Sequence, residues 1–288
     1  MKDKFMTFKE KIGDITHRYG LYIMAALPIV FLLIFMVIPI LQMFTRSVVG
    51  DAGFTGQYFK EFFETTLYLK ILRNTIGLAI VIGLLTIVLG YPVAYVMNQV
   101  GPTLRTIIMG CVQIPFWTSL LVRTYIWIAI LQKQGLVNVV LMKLGVIEEP
   151  LNLIYNTTGV VIVMTYIMLP YMIFSISAVM GQIDQNVITA SVSLGASKFK
   201  TFIKVYFPLS LQGVMSGFFI VFLNTMGYYI VPSLVGGQKS QMISQTIQNQ
   251  LSTLLNWNFA ATISIILVMI TIMFVLISKN VTKQKYLA

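Results

Sequence analysis

The chain is 288 residues long, 57% hydrophobic and 10% charged, with a formal net charge of +11 and a mean hydropathy of +0.85. A soluble domain carries about a quarter charged residues, so this balance excludes one and points to a polytopic membrane protein. The positive excess needs no nucleic-acid partner, because basic loops lying against anionic lipid head groups account for it.

A membrane-crossing helix takes about 20 mostly apolar residues. Uncharged windows predict six such spans, near residues 21–43, 74–97, 106–131, 158–180, 208–231 and 258–278. The fold class is therefore all-α: a six-helix transmembrane domain over 21–280, a cytoplasmic segment 1–20 before it and a tail 281–288 after it. Residues 1–18 are cationic and polar and predict a short surface helix. The first apolar run exceeds the roughly 7–15-residue core of a signal peptide and lacks a small-x-small cleavage site, so it is expected to anchor the chain.

The third span holds Cys111, which is the only cysteine and forms no internal disulfide. It is expected to be a buried small hydrophobe. Arg123 is the one charge within a predicted span. At about 1.5 Å per residue it lies roughly 26 Å along a helix rising from the cytoplasm, hence at the outer end. Phe116, Ser119, Arg123 and Trp127 then share a helical face, and Arg123 can stack on Trp127. Trp117, Tyr125, Tyr166, Tyr171, Tyr228 and Tyr229 are either walls of a path or members of the interfacial aromatic belts. Clusters at Asn152–Gly159 and Pro232–Gln250 predict loops.

Between the fourth and fifth spans lies a polar, amphipathic stretch with Lys198, Lys200 and Lys204. Gly195 divides it into two short helices, either by a positive φ or by close backbone approach. Asp184 is placed to cap the first helix and Ser197 the second. In the fifth span Gly213-x-x-x-Gly217, with Asn224 on the same stripe, admits a closely packed helix from this chain or another.

Both termini share a side when the spans are even in number. That side holds twelve of the Lys and Arg residues, the opposite side seven: Arg46, Lys60, Lys70, Arg73, Lys133, Lys143 and Lys239. The richer side is cytoplasmic, so the termini and residues 184–206 are expected there. Enzyme chemistry has no footing. His17 stands alone, no predicted span contains a carboxylate, and Gly237-Gln238-Lys239-Ser240 lacks the Gly-Lys pair of a phosphate-binding loop.

The stretch reads Thr189-Ala190-Ser191, then Gly195-Ala196, then Val205 and Phe207-Pro208. This resembles the cytoplasmic EAA loop of ABC importer permeases: E-A-A, three residues, Gly, nine residues, an aliphatic residue, one residue and Leu-Pro. Thr189 departs from it, standing where the family has Glu. Pro115-Phe116-Trp117-Thr118 with Arg123 and Tyr125, Leu194-Gly195-Ala196-Ser197-Lys198, and Met226-Gly227-Tyr228-Tyr229 leading to Gly236-Gly237 are similar to the spermidine/putrescine permeases of the PotB type. The resemblance implies a MetI-like six-helix permease in a bacterial cell membrane. Asp184, Thr189, Ala190, Ser191, Gly195, Ala196 and Pro208 would couple it to an ATPase. It implies a second permease, two ATPase subunits that carry ATP and Mg, and an extracytoplasmic binding protein, with no cofactor in this chain. Trp117, Tyr166 and Tyr228 are the candidate path residues and Arg123 the outer-end charge. Iron, thiamine or another small solute is the alternative cargo. An ion-coupled secondary transporter lacks the intramembrane acids it would need, and a scaffold leaves the patterned loop unexplained.

Overall fold

The computed structural model describes residues 2–50 and 53–283, with side chains over 20–277 save 21, 23, 51 and 52. His17 and the whole 281–288 tail thus lie outside the described side chains. The surface helix predicted for 1–18 and the first span form one helix, α1 (Lys2–Val48). A two-residue hairpin follows, β1 (Val49–Gly50) antiparallel to β2 (Gly53–Phe54), with Val49 opposite Phe54. Then come α2 (Gln57–Glu64), α3 (Thr66–Gln99), α4 (Pro102–Trp117), α5 (Leu120–Leu131), α6 (Leu136–Lys143) and α7 (Thr157–Met180). The chain continues through α8 (Gln185–Ser193), α9 (Lys198–Thr201), a π turn (Phe202–Tyr206) and α10 (Phe207–Gly227). It ends in α11 (Ile230–Val235), α12 (Ile243–Ser252) and α13 (Trp257–Lys283).

Among the described residues six helical stretches are long and apolar enough to cross a membrane: Met24–Val48, Thr66–Gln99, Leu120–Lys143, Thr157–Met180, Lys198–Gly227 and Trp257–Ile277. The third differs from the predicted 106–131 rod. Thr118 and Ser119 are extended (ψ 136° and 138°) and separate α4 from α5. Pro115 has no N–H to continue the ladder, and the Thr118 N–H closes back on the Pro115 carbonyl instead. Phe116 therefore shares no helical face with Arg123 and Trp127, whereas the Ser119 carbonyl, at the N-cap of α5, accepts the Arg123 N–H (3.0 Å). Cys111 is exposed rather than buried, because α4 buries only Pro115. Pro232–Gln250 is not a loop throughout. It contains most of α11 and α12, the start of α12 being held by an Asn74 Nδ2–H bond to the Gln241 carbonyl (2.9 Å) and an Ile243 N–H bond to Thr75 Oγ1 (2.9 Å).

The core is the triad α3, α7 and α10. Helix α7 is apolar all round and buried along most of its length, as a central helix must be. Helix α3 turns Leu78, Ile82, Gly90, Ala94 and Met97 inward at helical spacing. Lipid tails are as apolar as Leu, so shape fit and interhelical bonds hold these helices together. Among the described residues these bonds include Tyr91 Oη with Ser210 Oγ at 2.9 Å, Asn98 Nδ2–H to Ser177 Oγ at 2.8 Å, and Ser175 Oγ with the Gly213 carbonyl at 3.1 Å and with Ser216 Oγ at 2.8 Å. At about 0.6 kcal/mol each they are minor, and close fit dominates. The Gly213-x-x-x-Gly217 stripe supplies that fit, and its partner is α7 of the same chain. A Cβ on Gly213 would meet Ile176 Cα at 2.9 Å. Asn224, further along the stripe, donates only to its own helix, at the Ile220 carbonyl.

Helices α1 and α13 pack together outside the triad. The Arg46 guanidinium sits 5.6 Å from the Trp257 ring centroid, and Phe259 with Ile263 builds a second cluster around Phe62 and Ile71.

Candidate functional site

Two regions hold the residues singled out in the sequence, one at each end of the triad. The first is the bent element from Asp184 to Pro208. An Asp184 carboxylate oxygen accepts the Asn186 N–H (2.9 Å) and opens α8. The Ser197 hydroxyl accepts the Lys200 N–H (3.3 Å) and opens α9. Between them α8 ends in a Schellman motif, in which the Gly195 N–H bonds the Val192 carbonyl (2.9 Å) and the Ala196 N–H the Ser191 carbonyl (3.2 Å). That motif needs a left-handed residue. Gly195 has φ +82°, and a Cβ added there would meet no atom within 4 Å. The positive φ, not close approach, is therefore its reason. Ser191 Oγ and Thr201 Oγ1, 3.0 Å apart, latch the two short helices. Thr189 bonds back to the Gln185 carbonyl and is otherwise exposed, as is Ala190.

The second helix of this element is not free-standing. α9 runs without interruption through the π turn into α10. Phe207 N–H reaches the Phe202 carbonyl, and Pro208, which lacks an N–H, falls in the first turn of α10. The wider turn absorbs the donor that Pro208 cannot supply. An aromatic joint surrounds the turn. Phe202 is 5.2 Å from Tyr95 and 6.2 Å from Tyr91, and Tyr206 is 5.2 Å from Tyr95. The element thus leans on the end of α3. The sequence reading missed this joint, although Tyr91/Tyr95 and Phe202/Tyr206 each carry the i, i+4 signal. Val192 (51% exposed), Leu194 (89%) and Phe199 (72%) remain uncovered on the outer face of the bend.

The second region lies at the opposite end of α10, where Gly227 gives way to the extended Tyr228. The Tyr228 carbonyl accepts the Ser244 hydroxyl, and the ring lies within electrostatic range of Tyr171 and Arg123. Phe116 packs on Tyr171 (5.1 Å) and Trp127 on Tyr166 (5.1 Å). So Tyr228, Tyr171 and Arg123 share a neighbourhood, Tyr166 pairs with Trp127, and Trp117 stands clear at 88% exposure. Arg123 does not stack on Trp127; among the described residues the cation–π pair is Arg46 with Trp257. The Arg123 side chain is half-buried in the first turn of α5, and among the described residues its buried Nε has no hydrogen-bond partner. Thr165 Oγ1 and Thr225 Oγ1 are likewise buried and unpartnered. Among the described residues no group of three or more His, Cys, Asp or Glu could hold a metal.

The family model described as binding-protein-dependent transport system inner membrane component matches residues 86–281. The chain belongs to this family. Among curated relatives, the spermidine/putrescine transport system permease protein PotB of Salmonella typhimurium (strain SL1344) is 33% identical over 204 residues, covering 71% of each chain. The protein of the same name from Escherichia coli K12 is also 33% identical over 204 residues, covering 71% of this chain and 74% of its own. Among solved structures, a chain of a bacterial alginate ABC transporter, crystallised with an alginate pentasaccharide-bound periplasmic protein, superposes with a TM-score of 0.77 at 16% identity, covering 94% of this chain and 96% of that one. The six-helix architecture of this family member is therefore that of ABC importer permeases, and its place is a membrane.

Proposed function

We propose that this permease carries polyamines, working with a second permease of the family, two ATPase subunits and an extracytoplasmic binding protein. The bent element at the end of the triad supports the coupling role. It exposes Leu194 and Phe199 on a capped, latched joint that continues into α10. Motion imposed on it by an ATPase reaches the membrane through the π turn and the aromatic joint. The substrate class is supported by the relatives named spermidine/putrescine permeases.

A flexible cation is recognised by acids or by aromatic faces. No carboxylate lies in the six spans of this chain, and Arg123 carries a like charge. In this reading the acids come from the partner permease and the binding protein. Trp117, Tyr166 and Tyr228 supply aromatic wall. Each face offers about 0.5–2 kcal/mol to a cation, which is weak enough for release. The unpartnered Thr165 and Thr225 hydroxyls suit a wall completed from outside the chain, since a buried polar group left alone costs about 1–3 kcal/mol.

In complex with its binding protein, the reconstituted importer should show ATPase stimulation by spermidine or putrescine. Trp117→Ala should reduce uptake without lowering the binding protein's own affinity. Stimulation by another small solute and by neither polyamine removes the polyamine assignment and leaves the permease role in place.

The bias of twelve basic residues against seven supports a cytoplasmic position for both termini and for the bent element. Cys111 is exposed, so the test needs a Cys111→Ala background. Cysteines placed at Lys60 and Lys143 should label with an impermeant thiol reagent from outside, and one at Lys200 should not. External labelling at Lys200 overturns the orientation and the coupling role together.

A further inference from the structure

Lys70, Arg73 and Lys239 are three of the seven basic residues on the cation-poor side, and they line a single cavity of about 670 Å³. The cavity lies beside the start of α3. The other end of that helix, at Gln99, bonds Tyr206 of the joint beneath the bent element. About 29 residues at 1.5 Å per residue put the cations roughly 40 Å from it, one bilayer thickness away. Among the described residues the ion pair within 4 Å is Lys60 with Glu64, so none of the three cations has a carboxylate partner. The site is built rather than accidental. Asn74 holds the Gln241 carbonyl, and the Gln238–Ser240 turn is closed by a Gly237 N–H bond to Ser240 Oγ (2.7 Å). Thr157, in the first turn of α7, also lines the cavity, and the positive end of that helix dipole adds to the attraction for an anion.

Below the cations the wall changes character. Leu78, Val81 and Val161 line it, and Val81 lies about 12 Å deeper along α3 than Arg73. A cationic mouth above an apolar wall at membrane depth matches one chemistry, a phosphodiester head group with an acyl chain below it. A polyamine is repelled by it. An acidic protein surface would satisfy the mouth and leave the wall unmatched. We propose that this groove is a binding site for an anionic phospholipid in the leaflet away from the bent element. The groove contains none of the path residues Trp117, Tyr166 and Tyr228, so this assignment does not depend on which solute the importer carries.

The test uses the assembled importer, stripped of lipid in detergent, titrated with phosphatidylglycerol or phosphatidylethanolamine and examined by native mass spectrometry. Phosphatidylglycerol should be retained in preference. Neutralising the mouth with Lys70→Gln, Arg73→Gln and Lys239→Gln should weaken retention by about fivefold per charge removed. Val81→Trp, which fills the groove and leaves the cations, should also reduce it. Unchanged retention in the neutralised importer overturns the site. Displacement of the lipid by inorganic phosphate overturns it in favour of a free anion, and so does unchanged retention with Val81→Trp. Weaker docking of the binding protein in a charge-free bilayer, with lipid retention intact, overturns it in favour of an acidic protein face.

Discussion

Gly195→Val lowers uptake by about tenfold or more while the protein still inserts at its normal level. Gly195 has φ +82°, and no atom lies within 4 Å of where its Cβ would be. The cost of a side chain there is thus purely conformational. It is roughly 1–2 kcal/mol for an ordinary residue, and a β-branched one is a genuine outlier at positive φ. The Schellman closure, in which the Ala196 N–H bonds the Ser191 carbonyl and the Gly195 N–H the Val192 carbonyl, is lost, and α9 no longer turns back so that Thr201 meets Ser191. ATPase subunits should co-purify poorly with the variant. Gly195→Asn is the discriminating control, because Asn tolerates the left-handed region and should keep most of the activity. Normal uptake by the Val variant rules out docking through this joint.

Gly213→Leu should be the most destabilising single change in the triad. A Cβ at that position meets Ile176 Cα at 2.9 Å and the Ser175 carbonyl oxygen at 3.0 Å. Both are backbone atoms, so no rotamer change relieves the clash. The two helices must separate and lose the Ser175 hydrogen bond as well. Overpacking of this kind costs about 1–3 kcal/mol or more. Thermal unfolding of the purified protein in detergent should shift down by several degrees. Gly110→Leu on α4, where nothing lies within 4 Å, should leave it unchanged. Equal midpoints for the two variants would remove close helix approach as the reason for the glycine stripe.

What the sequence revealed of this fold follows the range of the forces involved. Asp184, Ser197 and Gly195 act on backbone groups two to five residues away, so their roles were visible in the local pattern. The spans were visible because each is an uncharged run of sufficient length. The break at Thr118–Ser119 was not, since a proline such as Pro115 is tolerated in membrane helices that continue past it. Helices α11 and α12 were hidden in a Gln-, Asn- and Ser-rich stretch. The anchors of α12, Asn74 and Thr75, lie about 170 residues away in α3, and the Val235 carbonyl that ends α11 is held by the Tyr155 N–H; no local rule can find such partners. The aromatic joint and the Tyr228–Arg123 neighbourhood are likewise products of tertiary packing. Leu194 and Phe199 look like core residues in the sequence, and the structure leaves both uncovered.

Helix α7 carries Met164, Met168 and Met172, each wholly buried and spaced by four residues. A Cβ on Gly90 of α3 would touch Met172 Cγ at 3.2 Å, and one on Gly217 of α10 would touch its Sδ at 2.7 Å, so this one thioether fills the slots of two neighbouring helices. A β-branched side chain has one favoured torsion and fits such a slot in one register. An unbranched methionine has three torsions and a polarisable tip, and refills the slot after a shift along the helix axis. The middle of this permease is therefore greased rather than bolted: its helices can slide past one another without opening a void, and the cost of each stroke falls on its ends.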